Sequence, residues 1–213
     1  MNIIFEGVDA SGKTTTLNAF GELLTEEKEN FYLINELEES PLWEVLKKMF
    51  QDDPFLLSNK NFKTSTYETL VLAANHFYKQ EFFRQNNKKI YVYDRDFMTV
   101  LAYQKYVLER EYGVDYKKFY EPFKELMLFD LKPISTIAYF NVPVEVSIER
   151  IISRGREKPY TQQQIDFLKA VKKNFEEELI PEVRTMEIDV LEIDGTKDPK
   201  ENAKKIYKRV RGK

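Results

Sequence analysis

The sequence predicts an α/β protein of three layers, a parallel five-stranded sheet between two sets of helices. Three observations predict it. Short apolar runs alternate with stretches of helical spacing along nearly all of the 213 residues. The run at 89–94, KIYVYD, is almost continuously apolar, as a parallel strand covered on both faces must be. A loop containing two glycines, at 7–14, follows directly on the first run and opens a helical stretch. In such a sheet the crossovers are right-handed and the ligand crevice lies beyond the carboxyl ends of the strands.

Residues 2–5 form the first strand, ended by Gly7, and 14–27 the first helix, with Leu17, Phe20, Leu23 and Leu24 on one face. Residues 31–35 read as the second strand and 42–50 as a helix entered through Pro41. A longer helix spans 67–83, the third strand 89–94, and two helical stretches 99–112 and 116–128. The fourth strand is expected at 135–142, helices at 144–153 and 162–179, the fifth strand at 190–193, and a last helix from Pro199. The basic stretch 204–213 reads as the solvated face of that helix. No internal repeat or low-complexity segment interrupts the pattern, so one domain over 1–213 is expected.

Composition narrows the function classes. The chain is 42% hydrophobic and 32% charged, with a formal net charge of -3, so no overall field favours a nucleic acid. With no cysteine, disulfides, thiol catalysis and thiolate metal sites are excluded. No apolar run is long enough to span a bilayer, and the first residues lack the layout of a signal peptide. A cytoplasmic protein is the expectation.

The loop Gly7–Thr14 (GVDASGKT) fits GxxxxGK[ST], whose glycines let consecutive backbone N–H groups turn inward onto phosphate oxygens at a helix N-terminus. The candidate phosphate cradle is Gly7, Ala10, Ser11, Gly12, Lys13, Thr14 and Thr15. Lys13, expected to be a solvent-lined side chain, would reach the β and γ phosphates of ATP, and the Thr14 hydroxyl would ligate Mg²⁺. A guanine-reading [NT]KxD segment is absent at the proper spacing, the nearest candidate being Thr196-Lys197-Asp198. After the third strand come Asp94, a candidate for orienting Mg²⁺ or its water, and Arg95, suited to a dianionic phosphate. Arg150 and Arg154 stand four apart on one helix face, with Arg156 just beyond, as a lid over a triphosphate would require.

These segments resemble, in order, the thymidylate kinase family of ATP-dependent P-loop kinases. FEGVDASGKTT (5–15) looks like that family's first motif, YDRDFMTVLAYQ (93–104) like its DRY…S…AYQ segment, and Val142-Pro143, Glu149-Arg150 and Arg154-Gly155-Arg156 like the approach to its LID, at about 154–162. Residues 190–196 resemble its last strand and purine-side loop. The resemblance implies a P-loop kinase fold, ATP and Mg²⁺ as cofactors, a nucleotide substrate, and pairing of two copies through helices. It implies Asp9 on the acceptor's 3′-hydroxyl and Tyr103 against the 2′ position, hence a deoxyribose acceptor such as dTMP. Some members carry an arginine in the loop where this chain has Ala10, which leaves the lid arginines to supply that charge.

Two departures keep alternatives open. The family's stacking Phe and base-reading Arg correspond here to Leu72 and His76, and its acceptor-phosphate arginine is missing, with Lys47 the nearest cation. Glu36, Glu38 and Trp43 instead resemble the deoxynucleoside kinases, in which a glutamate acts on a 5′-hydroxyl. A monophosphate acceptor needs cations and a nucleoside acceptor a carboxylate base, so Lys47 and Glu38 make opposite demands. A nucleotide-binding protein without turnover is the third alternative.

Overall fold

A computed structural model describes residues 1–35, 40–52, 62–84, 89–129, 134–154 and 161–212. The expected α/β fold is present. In chain order the elements are β1 (Asn2–Glu6), α1 (Lys13–Glu26), β2 (Phe31–Ile34), α2 (Trp43–Asp52), α3 (Phe62–Arg84), β3 (Ile90–Asp94), α4 (Phe97–Tyr112) and α5 (Lys117–Leu128). Then follow β4 (Ile134–Asn141), α6 (Val144–Ser153), α7 (Gln162–Asn174), α8 (Ile180–Thr185), β5 (Asp189–Asp194) and α9 (Pro199–Arg211).

The five strands pair in the order β2-β3-β1-β4-β5, all parallel. The path from β1 runs past β3 to the edge strand β2, whereas the path from β3 runs past β1 to β4 on the other side. The adjacent strands β1 and β3 therefore send their chains in opposite directions, which opens a crevice at their carboxyl ends. Both charged motifs leave the sheet there: the 7–14 loop from β1 and Asp94-Arg95 from β3.

Alternation along the strands divides the core into two layers. Ile4, Tyr91, Tyr93, Ile137 and Tyr139 pack with residues of α4, α5 and α7, including Phe97, Leu101, Tyr120 and Phe167. Ile3, Phe5, Val92, Ala138 and Phe140 face the other way, against Leu17, Phe20 and Leu24 of α1 and Ala203 and Ile206 of α9. On that side the rings of Phe5 and Phe140 stack at 5.4 Å between centroids. Each buried aliphatic or aromatic side chain contributes about 1.5–3 kcal/mol, so the platform beneath the crevice is rigid.

Two helices differ from expectation by more than two residues. α3 begins five residues earlier than the sequence predicts, and the helix expected to stop at Leu179 runs on through a wide π turn at Phe175–Leu179 into α8. Pro181 explains the turn: it has no N–H, and its ring would collide with a carbonyl four residues back in a regular helix. Phe175, Leu179, Ile180 and Val183 are all buried, which holds the distorted segment against the core. Among the described residues, no helix is long and apolar enough to cross a membrane.

Candidate active site

The glycine loop closes onto three neighbouring strands and helices. Gly7 adopts φ 139°, and a Cβ there would lie 2.7 Å from the Phe140 carbonyl oxygen, so the loop can leave β1 beside β4 only without a side chain. Gly12, at φ 99°, is the N-cap of α1, which places the helix N-terminus at the loop. Ala10 is held in left-handed geometry at φ 52°. Two residues of α6 grip this part of the loop: Ser147 Oγ donates to the Asp9 carbonyl, and Arg150 Nη1 donates to the Ala10 carbonyl at 3.2 Å.

Arg150 also joins the loop to the turn after β5, because its Nη2 donates to the Gly195 carbonyl at 2.9 Å. A Cβ on Gly195 would sit 2.0 Å from the Ser11 carbonyl oxygen, so the two loops touch backbone to backbone. Beside this contact lies an open cavity of about 400 Å³ bordered by Gly12, Thr15, Arg150, Arg154, Gly195 and Lys197, among others. Its size is that of a small-molecule site. Arg154 is exposed at its rim, at the end of α6.

Lys13 corrects the sequence-based expectation of a solvent-lined side chain. It is 4% exposed, and its ammonium donates to the carbonyls of Gly7 at 2.9 Å and Val8 at 2.7 Å and to Ser11 Oγ at 3.3 Å. A helix N-terminus without Cβ atoms crowding it lets the loop wrap its own cation, which no residue pattern announces. Thr14 and Asp94, expected to work together, are brought together: Thr14 Oγ1 donates to Asp94 Oδ2 at 3.1 Å. The other carboxylate oxygen, Asp94 Oδ1, is buried and has no hydrogen-bond partner among the described residues.

Across the crevice Asp9, Arg95 and Tyr103 form a closed triad. Arg95 Nη2 pairs with Asp9 Oδ1, Tyr103 OH donates to Asp9 Oδ2 at 3.1 Å, and Arg95 Nη1 donates to Tyr103 OH at 3.2 Å. Burial pushes the Asp9 carboxyl upward, but Arg95, Lys13 and the Tyr103 hydroxyl outweigh it and hold the group below its ordinary 3.8. Asp9 is thus ionised and can only accept hydrogen bonds. Arg95 itself has φ 64°, an unusual conformation for a side-chain-bearing residue.

Leu72 and His76 of α3 also face this side, where with Asn75, Lys79, Arg95, Asp96, Thr99 and Val100 they border a small cavity of about 20 Å³. His76 is 3% exposed, and its Nδ1 lies 2.8 Å from Asp96 Oδ1. Lys79 Nζ is 3.9 Å from the same oxygen, and Gln80 Nε2 donates to Asp96 Oδ2 at 3.4 Å. Burial raises the Asp96 carboxyl, yet His76, Lys79 and Gln80 hold it below 3.8. With an ionised acceptor beside it, the His76 Nδ1 carries the proton.

Lys47 stands exposed on α2. Glu38 and Arg156, and with them most of the expected LID, lie outside the described residues. Sequence reasoning passed over Glu6, Asp96 and Ser147. The available signal for Glu6 was its charge at the end of an apolar strand, where a carboxylate has no reason to be unless something there requires it.

A family profile described as "Thymidylate kinase" matches residues 5–206. A protein named "Probable thymidylate kinase" from Sulfurisphaera tokodaii is 27% identical over 173 residues, which is 81% of this chain and 79% of that one. Among solved structures, a deoxyadenosine kinase from M. mycoides with bound dATP superimposes with a TM-score of 0.66 over 99% of this chain and 100% of that one, at 17% identity, a likeness of fold. A match from Phe5 to Ile206 takes in the glycine loop, the β3 end and the β5 turn alike, and the chain belongs to the thymidylate kinase family, which are nucleoside monophosphate kinases of the P-loop type.

Proposed function

We propose that the chain transfers the γ-phosphoryl group of ATP to a deoxynucleoside monophosphate, dTMP before others. The Asp9–Arg95–Tyr103 triad carries the reading, since it sets a guanidinium, an ionised carboxylate and an aromatic ring side by side at the β1–β3 crevice, next to the Thr14–Asp94 pair. The match to the thymidylate kinase profile supports the choice of acceptor.

Transfer of this kind asks the protein for position and charge rather than covalent help. An oxygen of the acceptor phosphate attacks the γ phosphorus, the bond to the β–γ bridging oxygen breaks, and ADP leaves. The Gly7–Thr15 backbone and the α1 N-terminus hold the donor phosphates, and Lys13 exchanges its loop carbonyls for their oxygens. Arg95 binds the acceptor phosphate, Asp9 accepts the sugar's 3′-hydroxyl, and Tyr103 crowds a 2′-hydroxyl. The roughly 400 Å³ cavity takes the adenosine end of ATP, with Arg150 fixing its two walls and Arg154 and Arg156 closing over the phosphates. Leu72 and His76 face the acceptor base, and Lys47 adds a cation for its 5′ phosphate.

The residues fit Mg²⁺. Asp94 Oδ1 is a buried carboxylate oxygen in want of a partner, and Thr14 adds a hydroxyl 3.1 Å from its neighbour, an all-oxygen pair of the kind Mg²⁺ takes together with substrate phosphates and water. When bound, the ion would neutralise charge between the β and γ phosphates. The same reading treats 1–213 as one cytoplasmic kinase domain with its LID at about 154–162, and assigns the exposed Tyr67, Leu70 and Tyr78 of α3 to contact with a second copy.

ADP formation measured against a panel of deoxynucleosides and their monophosphates tests the proposal. Turnover of dTMP, with thymidine inert, is the expected result. Turnover of unphosphorylated nucleosides alone overturns it.

A further inference from the structure

Glu6 is the last residue of β1, fully buried, and no step described so far uses it. Its carboxyl group faces the start of α4. Oε1 accepts the backbone N–H of Asp96 at 3.0 Å and of Thr99 at 3.3 Å, and Oε2 is hydrogen-bonded to Thr99 Oγ1. Those N–H groups belong to the first turn of α4, where a helix has donors with no partner inside it. The N-cap residue normally answers them, but Asp96 makes no side-chain bond to its own helix. Its carboxylate is turned instead to His76, Lys79 and Gln80 of α3.

The cap is thus supplied from another strand. One residue upstream, Phe5 C=O accepts the Arg95 N–H at 3.0 Å, so β1 takes the N–H groups of Arg95, Asp96 and Thr99 with two consecutive residues. Arg95 sits inside this bracket at φ 64°, a conformation that is strained for a non-glycine residue and persists only where its surroundings enforce it. The strained turn aims the guanidinium at Asp9 and Tyr103.

We infer that Glu6 is a positioning residue for the acceptor phosphate, capping α4 from β1 and so locking the turn that presents Arg95. The inference rests on the reading of Arg95 as the acceptor-phosphate ligand. It also frees Asp96 to tie the turn to α3, so that the strand carrying the glycine loop and the helix bordering the acceptor cavity grip one pivot from two sides. Glutamine keeps the arrangement, because its carbonyl accepts both N–H groups and its amide donates to Thr99 Oγ1. Leucine, of similar volume, offers neither.

The test compares KM for dTMP and for ATP in the full-length protein and in Glu6→Gln, Glu6→Leu and Arg95→Ala. Glu6→Leu is expected to raise KM for dTMP about tenfold while KM for ATP stays within about twofold, and Glu6→Gln to remain within about twofold of the parent for both. A folded Glu6→Leu protein with both constants unchanged, or both raised together, overturns the inference. If Glu6→Leu does not fold, Thr99→Val is read in its place: a selective rise of about threefold for dTMP supports the pivot, and an unchanged value overturns it. Arg95→Ala separates the two ideas, since an unchanged dTMP KM there removes the role of Arg95 itself, whereas a raised one alongside a normal Glu6→Leu protein removes only the role of Glu6.

Discussion

The two halves of the crevice are built from different materials. The half proposed to hold the donor, formed by the glycine loop, α6 and the turn after β5, is made by backbone meeting backbone: Gly195 against Ser11, Gly7 against Phe140, and carbonyls held by Ser147 and Arg150. On the half proposed to hold the acceptor, side chains do the positioning, with Asp9 on Arg95, Asp96 on His76 and Lys79, and Glu6 on the α4 N-terminus. A donor common to many kinases can be held by main-chain N–H groups that any sequence supplies once the glycines permit the turn. An acceptor must be told from its relatives, and only side chains can differ enough to do so.

The contrast can be broken in several places. The largest effect is expected for Lys13→Ala, a loss in kcat of about a thousandfold or more from the missing phosphate cation. Because Lys13 is buried and satisfies two loop carbonyls, the substitution should also cost about 1–3 kcal/mol in denaturant unfolding. A normal rate would end the assignment of the donor half. Arg95→Ala should lower kcat/KM for dTMP by roughly a hundredfold with KM for ATP nearly unchanged. Equal losses for both substrates would mean that the two halves are not separable.

Asp96→Asn probes the charged half through stability, with an expected loss of about 2–4 kcal/mol, since His76 and Lys79 would face no buried anion. The Asp96 carboxyl is held below 3.8, so its contribution is present above that value and lost as pH falls through the lowered one. The variant's unfolding free energy should therefore be flatter than the parent's below about pH 4. Gly195→Ala probes the backbone half: the added Cβ must displace Ser11, and KM for ATP should rise about tenfold, with dTMP little affected.

A last effect concerns Glu6. Burial, with the Asp96 charge adding to it, pushes its carboxyl up to about 8 from an ordinary 4.5, although Thr99, the Asp96 amide and Arg95 pull the other way. The folded protein then holds a proton that the unfolded chain releases above pH 4.5, so stability is lost as pH rises from there toward about 8. Unfolding measured from about pH 5 to 7 should show the parent losing about 1 kcal/mol per pH unit relative to Glu6→Gln. Parallel pH dependences would show that Glu6 does not hold its proton in this range.

Legibility followed the same division. The glycine loop was readable because its pattern sets glycines and a cation at fixed short spacing, all within one loop. Asp94 and Arg95 were readable because two charges directly follow a buried strand. The roles of Glu6 and Asp96 were not, since the contacts that define them join residues 90 and 20 positions apart and leave no local pattern. His76 stood out as the sole histidine, yet its attachment to Asp96 depends on how α3 lies across the start of α4. The π turn before Pro181 escaped notice for the opposite reason: a proline usually marks a helix end, and packing of Phe175, Leu179 and Val183 overrode it.

By itself the sequence determined the layered α/β fold, the succession of its strands and helices along the chain, and the glycine loop that opens the first helix, because periodicity and glycine spacing are local consequences of backbone geometry. The tertiary structure decided that Lys13 is wrapped by its own loop, that Arg95 is held at φ 64° between Asp9 and Tyr103, and that Glu6 caps a helix it does not belong to. Each of these depends on which unpaired donors and charges the folded chain brings within about 3 Å of one another, a matter of three-dimensional proximity that chain order does not encode.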